Sequence, residues 1–125
     1  MARSYVVLVA EDDALVRNLI NAVLLRDGYS VLLASDGQEA LEVSRGYSGE
    51  IDLLLSDVLM PRMNGLNLAR SLKAERPGIR SLLMSGKLGS ETICPSAEMD
   101  FLRKPFVPDE LRRKMRELLS RLTDS

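Results

Sequence analysis

Histidine occurs nowhere in the 125 residues. Its absence removes imidazole as general base, nucleophile or metal ligand, and leaves carboxylates, hydroxyls and lysines to carry any chemistry. Cysteine is almost as scarce: the lone Cys94 excludes an internal disulfide. Neither a secretory signal with its apolar h-region nor a membrane-spanning apolar run is present, so the expected location is the cytoplasm, with no membrane partner. A net charge of -1 supplies no electrostatic reason to expect nucleic acid. No internal repeat, low-complexity tract or interdomain linker interrupts the chain. What is there is ordinary for a globular protein, 46% hydrophobic and 28% charged. The length suits one domain over residues 1–125, large enough to bury a core without disulfide or metal staples. Partners must therefore be argued from sites.

Short apolar runs alternate with amphipathic stretches, the pattern of successive βα units. Tyr5 to Ala10 reads as a first buried strand, followed by Glu11, Asp12 and Asp13. Val16, Leu19, Ile20, Val23 and Leu24 then recur at helical spacing up to Gly28, a residue suited to a left-handed helix end. Strand two is Ser30 to Ala34. Asp36 with Glu39 forms a capping box for a helix carrying Ala40, Leu41 and Ser44 and stopping at Gly46. Leu53, Leu54 and Leu55 are too apolar and too few for a surface helix. They predict a strand buried on both faces, and hence a parallel sheet covered by helices. That strand stops at Ser56 and Asp57.

Pro61 and Asn64-Gly65 mark a loop, and Leu68 and Leu72 begin a third helix that runs to Glu75. Ser81 to Met84 is the fourth strand and Asp100 to Leu102 a brief fifth. Between them, Lys87 to Glu98 has weak periodicity and predicts a short or distorted helix. Pro108 opens the last helix, with a stripe of Leu111, Met115, Leu118, Leu119 and Leu122. Asp109 and Glu110 suit its first turn, whereas Val107 is a poor N-cap. The run Arg112, Arg113, Lys114 and Arg116 reads as a solvated face.

In a parallel sheet all carboxyl ends lie on one edge, so Asp12, Asp13, Asp57, Ser85 and Lys104 converge on one rim. Three carboxylates held close together repel unless a cation joins them, and oxygen donors with retained waters suit Mg²⁺. Lys104 adds an ammonium and Ser85 a hydroxyl donor. Such an aspartate is suited to accepting a phosphoryl group, a transfer catalysed mostly by positioning and charge neutralisation. Taken singly, each residue has a plainer role: Asp12 or Asp13 as a helix N-cap, Asp57 in a turn, Ser85 as a cap, Lys104 as a solvated charge and Phe101 as core filling.

The acidic pair Asp12 and Asp13, the DVLMPRMNG loop with Asp57, the Met84-Ser85-Gly86 turn and Lys104-Pro105-Phe106 together resemble the receiver domains of two-component response regulators. The resemblance covers nearly the whole chain, and FLRKPF and LLMSG are most similar to receivers attached to, or working beside, hybrid sensor histidine kinases. It implies a flavodoxin-like, doubly wound α/β fold with a five-stranded parallel sheet in the order 2-1-3-4-5. It implies that Asp57 accepts phosphate from a phosphohistidine of a histidine kinase or phosphotransfer protein. Mg²⁺ would be held by Asp12, Asp13, Asp57 and the main-chain carbonyl of Leu59. Lys104 and Ser85 would contact the phosphoryl group, Ser85 and Phe101 would act as the switch pair, and the peptide before Pro105 is usually cis. Leu59 and Lys87 would flank the path of the hydrolysing water. Leu59 cannot orient a water by hydrogen bonding, so slow self-dephosphorylation is expected.

The resemblance further implies a phosphoacceptor signalling domain, not an enzyme acting on other substrates, that catalyses only its own phosphorylation and dephosphorylation. Without histidine the donor must come from outside the chain. A downstream protein target, no output domain, and a monomer or weak dimer are expected. The sequence departs from the family between Gly86 and Lys104, which is several residues shorter and holds Cys94-Pro95, so the fourth helix is expected to be short, irregular or absent. Rival readings are weaker. A haloacid-dehalogenase-type phosphatase needs an Asp-x-Asp element after the first strand, which Glu11-Asp12-Asp13-Ala14 does not supply. SGKLGS lacks the earlier glycine of a nucleotide-binding loop. The serious alternative is a degenerate receiver that signals by docking alone, independently of phosphorylation.

Overall fold

Five parallel strands pair in the order β2-β1-β3-β4-β5. In the computed structural model, which describes residues 4–86 and 98–120 in full and the helical backbone of 121–123, they are β1 (Val6–Ala10), β2 (Ser30–Ala34), β3 (Leu53–Asp57), β4 (Arg80–Ser85) and β5 (Met99–Arg103). Four helices accompany them among the described residues: α1 (Ala14–Arg26), α2 (Gly37–Gly46), α3 (Gly65–Glu75) and α4 (Pro108–Thr123). The doubly wound α/β fold expected from the sequence is therefore present. The short or irregular helix expected between Lys87 and Glu98 falls almost wholly on residues outside the described set.

The register explains why the central strands are apolar throughout. β3 lies between β1 and β4, with Leu54 opposite Leu8 and Ser81. Its side chains alternate between two cores. Leu53 and Leu55 join Val7, Val9, Leu82, Met84 and Leu102 beneath α1 and α4. Leu54 joins Val6, Leu8 and Ala10 beneath α2 and α3. A strand that feeds two cores has no polar face to show, so the leucine run continues without alternation. Its fully buried leucines each stabilise the fold by roughly 1.5–3 kcal/mol.

Local chemistry sets the helix ends. Asp36 Oδ1 accepts from the Glu39 amide at 2.8 Å, while Glu39 Oε1 accepts from the Ser35 amide at 2.9 Å, a near relative of the expected capping box. α1 closes as a Schellman motif: Gly28, at φ 89°, donates to the Leu25 carbonyl and Tyr29 to that of Leu24. The weak cap at Val107 is compensated by Glu110, whose carboxylate accepts from the Val107 amide at 3.1 Å. At the end of α2, the Arg76 guanidinium donates to the carbonyls of Ser44, Tyr47 and Gly49 and to the Ser44 hydroxyl. One side chain thus serves a last-turn carbonyl of α2, that of its C-cap Tyr47 and one in the loop beyond.

The apolar stripe of α1 needs one correction. Ile20, Val23 and Leu24 are buried and Val16 is half-buried, but Leu19 is 57% exposed. Leu19 lies beside Val16, facing outward over the loop after β5, and not beneath the helix. Along α4, Leu111, Met115, Leu118 and Leu119 are buried as the pattern predicts; the Leu122 side chain lies outside the described residues.

Candidate functional site

The strand carboxyl ends form one rim, and side-chain alternation decides what faces it. Continuing Val7 and Val9 brings Glu11 to the α1 and α4 side; Leu55 is followed two residues on by Asp57, and Leu102 by Lys104. These three side chains meet. Lys104 Nζ lies 2.7 Å from Glu11 Oε1 and 2.9 Å from Asp57 Oδ2. Glu11 is fully buried, the Asp57 side chain 13% exposed and Lys104 24% exposed. Asp12, exposed, completes the cluster: Glu11, Asp12 and Asp57 each present a carboxylate oxygen, all within 4.8 Å of one another.

Asp13 is placed differently from the sequence reading. Its carboxylate turns into α1 as the N-cap, accepting from the amides of Leu15 at 2.9 Å and Val16 at 3.4 Å. The acidic pair at the end of β1 is thus Glu11 and Asp12, one position earlier than expected. The physical reason is that a helix starting at Ala14 needs an N-cap at residue 13, and the strand's alternation carries through Glu11. Strand parity is the signal that could have found Glu11 in the sequence.

Electrostatics separates the groups. Burial pushes Glu11 up to about 7, against the lowering influence of the Lys104 ammonium and the Asp13 amide, and the nearby Asp57 charge adds to the rise. Burial works against the charge on Lys104, but its two carboxylate partners outweigh this and raise its pKa above the usual lysine value. One ammonium is shared by two acids, and the carboxylate of Asp12 stands beside them. The donor set is all hard oxygen, contains no nitrogen or sulfur ligand, and reaches solvent through Asp12, a combination that fits a partly hydrated divalent cation such as Mg²⁺.

Backbone contacts hold the rim in place. The Val58 amide donates to the Met84 carbonyl and the Gly65 amide to that of Val58, both tying the loop after β3 to the sheet. Gly65 is obligatory there, because a Cβ would sit 2.3 Å from the Asp57 carbonyl oxygen. Arg17 in α1 donates to the Glu11 carbonyl at 2.8 Å, and the Lys104 amide donates to the Ser85 carbonyl at 2.9 Å. Ser85 is buried at the end of β4, one step beyond Met84, the register partner of Asp57. Phe101 is half-buried on β5 opposite Leu83. The Leu59 side chain is 53% exposed. The Lys104-Pro105 peptide is cis. Lys87 lies outside the described residues.

Beside Lys104 an apolar groove of about 480 Å³ opens between α1 and the loop after β5, lined by Val16, Leu19, Gly86, Pro105 and Phe106. No described helix is long and apolar enough to cross a membrane.

The fold and this rim define the class. The response regulator receiver domain family matches residues 7–116, and the chain belongs to that family. It is 35% identical over 119 residues to the sensor kinase CckA of Brucella abortus, covering 93% of this chain and 12% of that protein. It is 38% identical over 120 residues to the response regulator MprA of Mycolicibacterium vanbaalenii, covering 94% of this chain and 51% of that protein. The chain thus spans a small part of the first relative and about half the length of the second. Among solved structures it is similar to the receiver domain of the hybrid histidine kinase CckA, with a TM-score of 0.79 at 32% identity, covering 91% of this chain and 98% of that one. It is likewise similar to the chemotaxis response regulator CheY4 of Vibrio cholerae, with a TM-score of 0.79 at 25% identity over 94% of this chain. The similarity to hybrid-kinase receivers expected from FLRKPF and LLMSG is matched by the CckA relatives.

Proposed function

We propose that the chain is a phosphorylation-dependent switch that accepts a phosphoryl group on Asp57. The observation that carries this reading is the convergence of Glu11, Asp12, Asp57 and Lys104 from three strand ends. Glu11, Asp12, Asp57 and the Leu59 main-chain carbonyl would hold Mg²⁺, which when bound neutralises charge on the phosphoryl oxygens. An Asp57 carboxylate oxygen attacks phosphorus, an O–P bond forms, and the P–N bond of an external phosphohistidine breaks. The electron pair leaves with the imidazole, which takes up a proton. Lys104, already on Asp57, balances the charge that arrives, and the Ser85 hydroxyl would turn to donate to a phosphoryl oxygen. The phosphoryl group carries about -1.5 to -2 charge where the Asp57 carboxylate carried a single one, and drawing Ser85 and Lys104 inward with Phe101 transmits the change.

The donor, a histidine kinase or phosphotransfer protein in the cytoplasm, would dock over the apolar groove beside Lys104, where Leu15 and Leu19 are also exposed. A receiver domain that catalyses only its own phosphorylation and dephosphorylation, and signals to a separate protein as a monomer or weak dimer, completes the reading. Phosphotransfer profiling tests it. Label passing rapidly from one histidine kinase of a panel to the native chain, and not to Asp57→Asn, supports the switch. Partner binding that is indifferent to Asp57, with no label transferred, supports the docking module instead.

A further inference from the structure

The loop between β3 and α3 carries the Leu59 carbonyl, and its far side is clamped to another element altogether. Arg62, at the crest of the loop, makes an ion pair through Nη2 with Asp36 Oδ2. Asp36 is the N-cap of α2 and is buried; its other oxygen holds the Glu39 amide at 2.8 Å. One residue further, Gly37 presses on Met63 so closely that a Cβ would lie 2.7 Å from the Met63 Cβ and 2.8 Å from its carbonyl oxygen. Arg62 also has φ 69°, the left-handed region that a side chain rarely adopts. Strain of this kind persists where surrounding contacts over-determine it, and the Asp36 carboxylate is such a contact.

We infer that Asp36 and Arg62 are positioning residues for the cation site, acting through the loop that bears the Leu59 carbonyl. The inference rests on the proposed Mg²⁺ site and extends it to residues that touch neither cation nor phosphate. The loop is pinned at its base by the Val58–Met84 and Gly65–Val58 hydrogen bonds. Between them Met60 and Met63 pack against the core beneath α2 and α3. The Arg62–Asp36 pair adds a polar tie on the far side of the loop, which sets where residues 59 to 61 stand relative to Glu11, Asp12 and Asp57. With Arg62 65% exposed, the pair acts by geometry more than by energy.

Two gentle substitutions separate positioning from folding. Arg62→Gly removes the side chain and relaxes the backbone at φ 69°. Asp36→Ser keeps an N-cap oxygen but is too short to serve both Glu39 and Arg62. The measurement is Mg²⁺ affinity by calorimetry, with melting temperature followed in parallel. Each variant is expected to bind about tenfold more weakly, the lower end for groups that orient metal ligands. The double variant should be no weaker than the worse single one, and Arg62→Lys should recover part of the loss. Glu75→Gln, which breaks the Arg45–Glu75 pair joining α2 and α3 elsewhere, should leave affinity unchanged. Native affinity in Arg62→Gly and Asp36→Ser, with the native chain binding normally, overturns the clamp alone. A native chain that binds no Mg²⁺ overturns the cation site, and the clamp with it.

Discussion

Replacing Glu11 by glutamine should make the metal-free protein more stable at alkaline pH while weakening its site. Glu11 is fully buried and its carboxyl is raised from 4.5 to about 7. A carboxyl whose pKa is higher in the folded state makes a contribution that is complete below the unfolded value. That contribution is lost as pH climbs through the folded value. The window therefore runs from about pH 4.5 to about pH 7. At about 1.36 kcal/mol for each pH unit, the loss comes to about 3 kcal/mol. Lys104, also raised, keeps its charge throughout this window, so the pH dependence belongs to Glu11.

Glutamine is isosteric and neutral. In chelator, Glu11→Gln should match the native chain near pH 4.5 and exceed it by about 3 kcal/mol at mildly alkaline pH, measured by urea unfolding. Mg²⁺ should stabilise the native chain and stabilise the variant far less. In the native chain, Mg²⁺ affinity should fall as pH drops below about 7, because the proton competes for Glu11. A variant less stable than the native chain at alkaline pH, or a difference between the two that does not change with pH, would refute the reasoning.

Other perturbations probe the frame and the kinetics. Gly65→Ala should cost at least about 1–3 kcal/mol by thermal melting, since the new Cβ meets the Asp57 carbonyl oxygen, a backbone atom that cannot swing away. Arg76→Ala should cost about 2 kcal/mol by urea unfolding, because it strips the carbonyls at the end of α2 of their charged donor. Leu59→Asn should shorten the aspartyl-phosphate lifetime at least about tenfold, roughly 1.4 kcal/mol in the hydrolytic barrier, by giving the attacking water a hydrogen-bond partner; an unchanged lifetime would count against a role for Leu59.

Much of the fold was legible because several signals agreed at each element. β2 matches its expected bounds, Ser30–Ala34, and β4 and β5 extend theirs by one residue at either end. The leucine run of β3 announced a strand covered on both faces, and the capping residues at Asp36, Gly28 and Glu110 act where they stand. What was misjudged followed from competition between neighbouring residues. Three consecutive acids offered two adjacent pairs, and only the helix start at Ala14 and the parity of β1 assign Asp13 to the cap and Glu11 to the rim. Leu19 fits the helical period of the buried stripe, yet it sits over a groove and not a core, a distinction set by where the loop after β5 passes. The Asp36–Arg62 contact joins residues 26 positions apart through a left-handed arginine, and no local pattern announces such a backbone.

The most direct test of the account is the mass of the intact chain after incubation with acetyl phosphate and Mg²⁺. The native chain should gain the mass of one phosphoryl group, and the gain should vanish in Asp57→Asn and without the cation. A native chain that stays unmodified, or an Asp57→Asn variant that is modified equally, would contradict it.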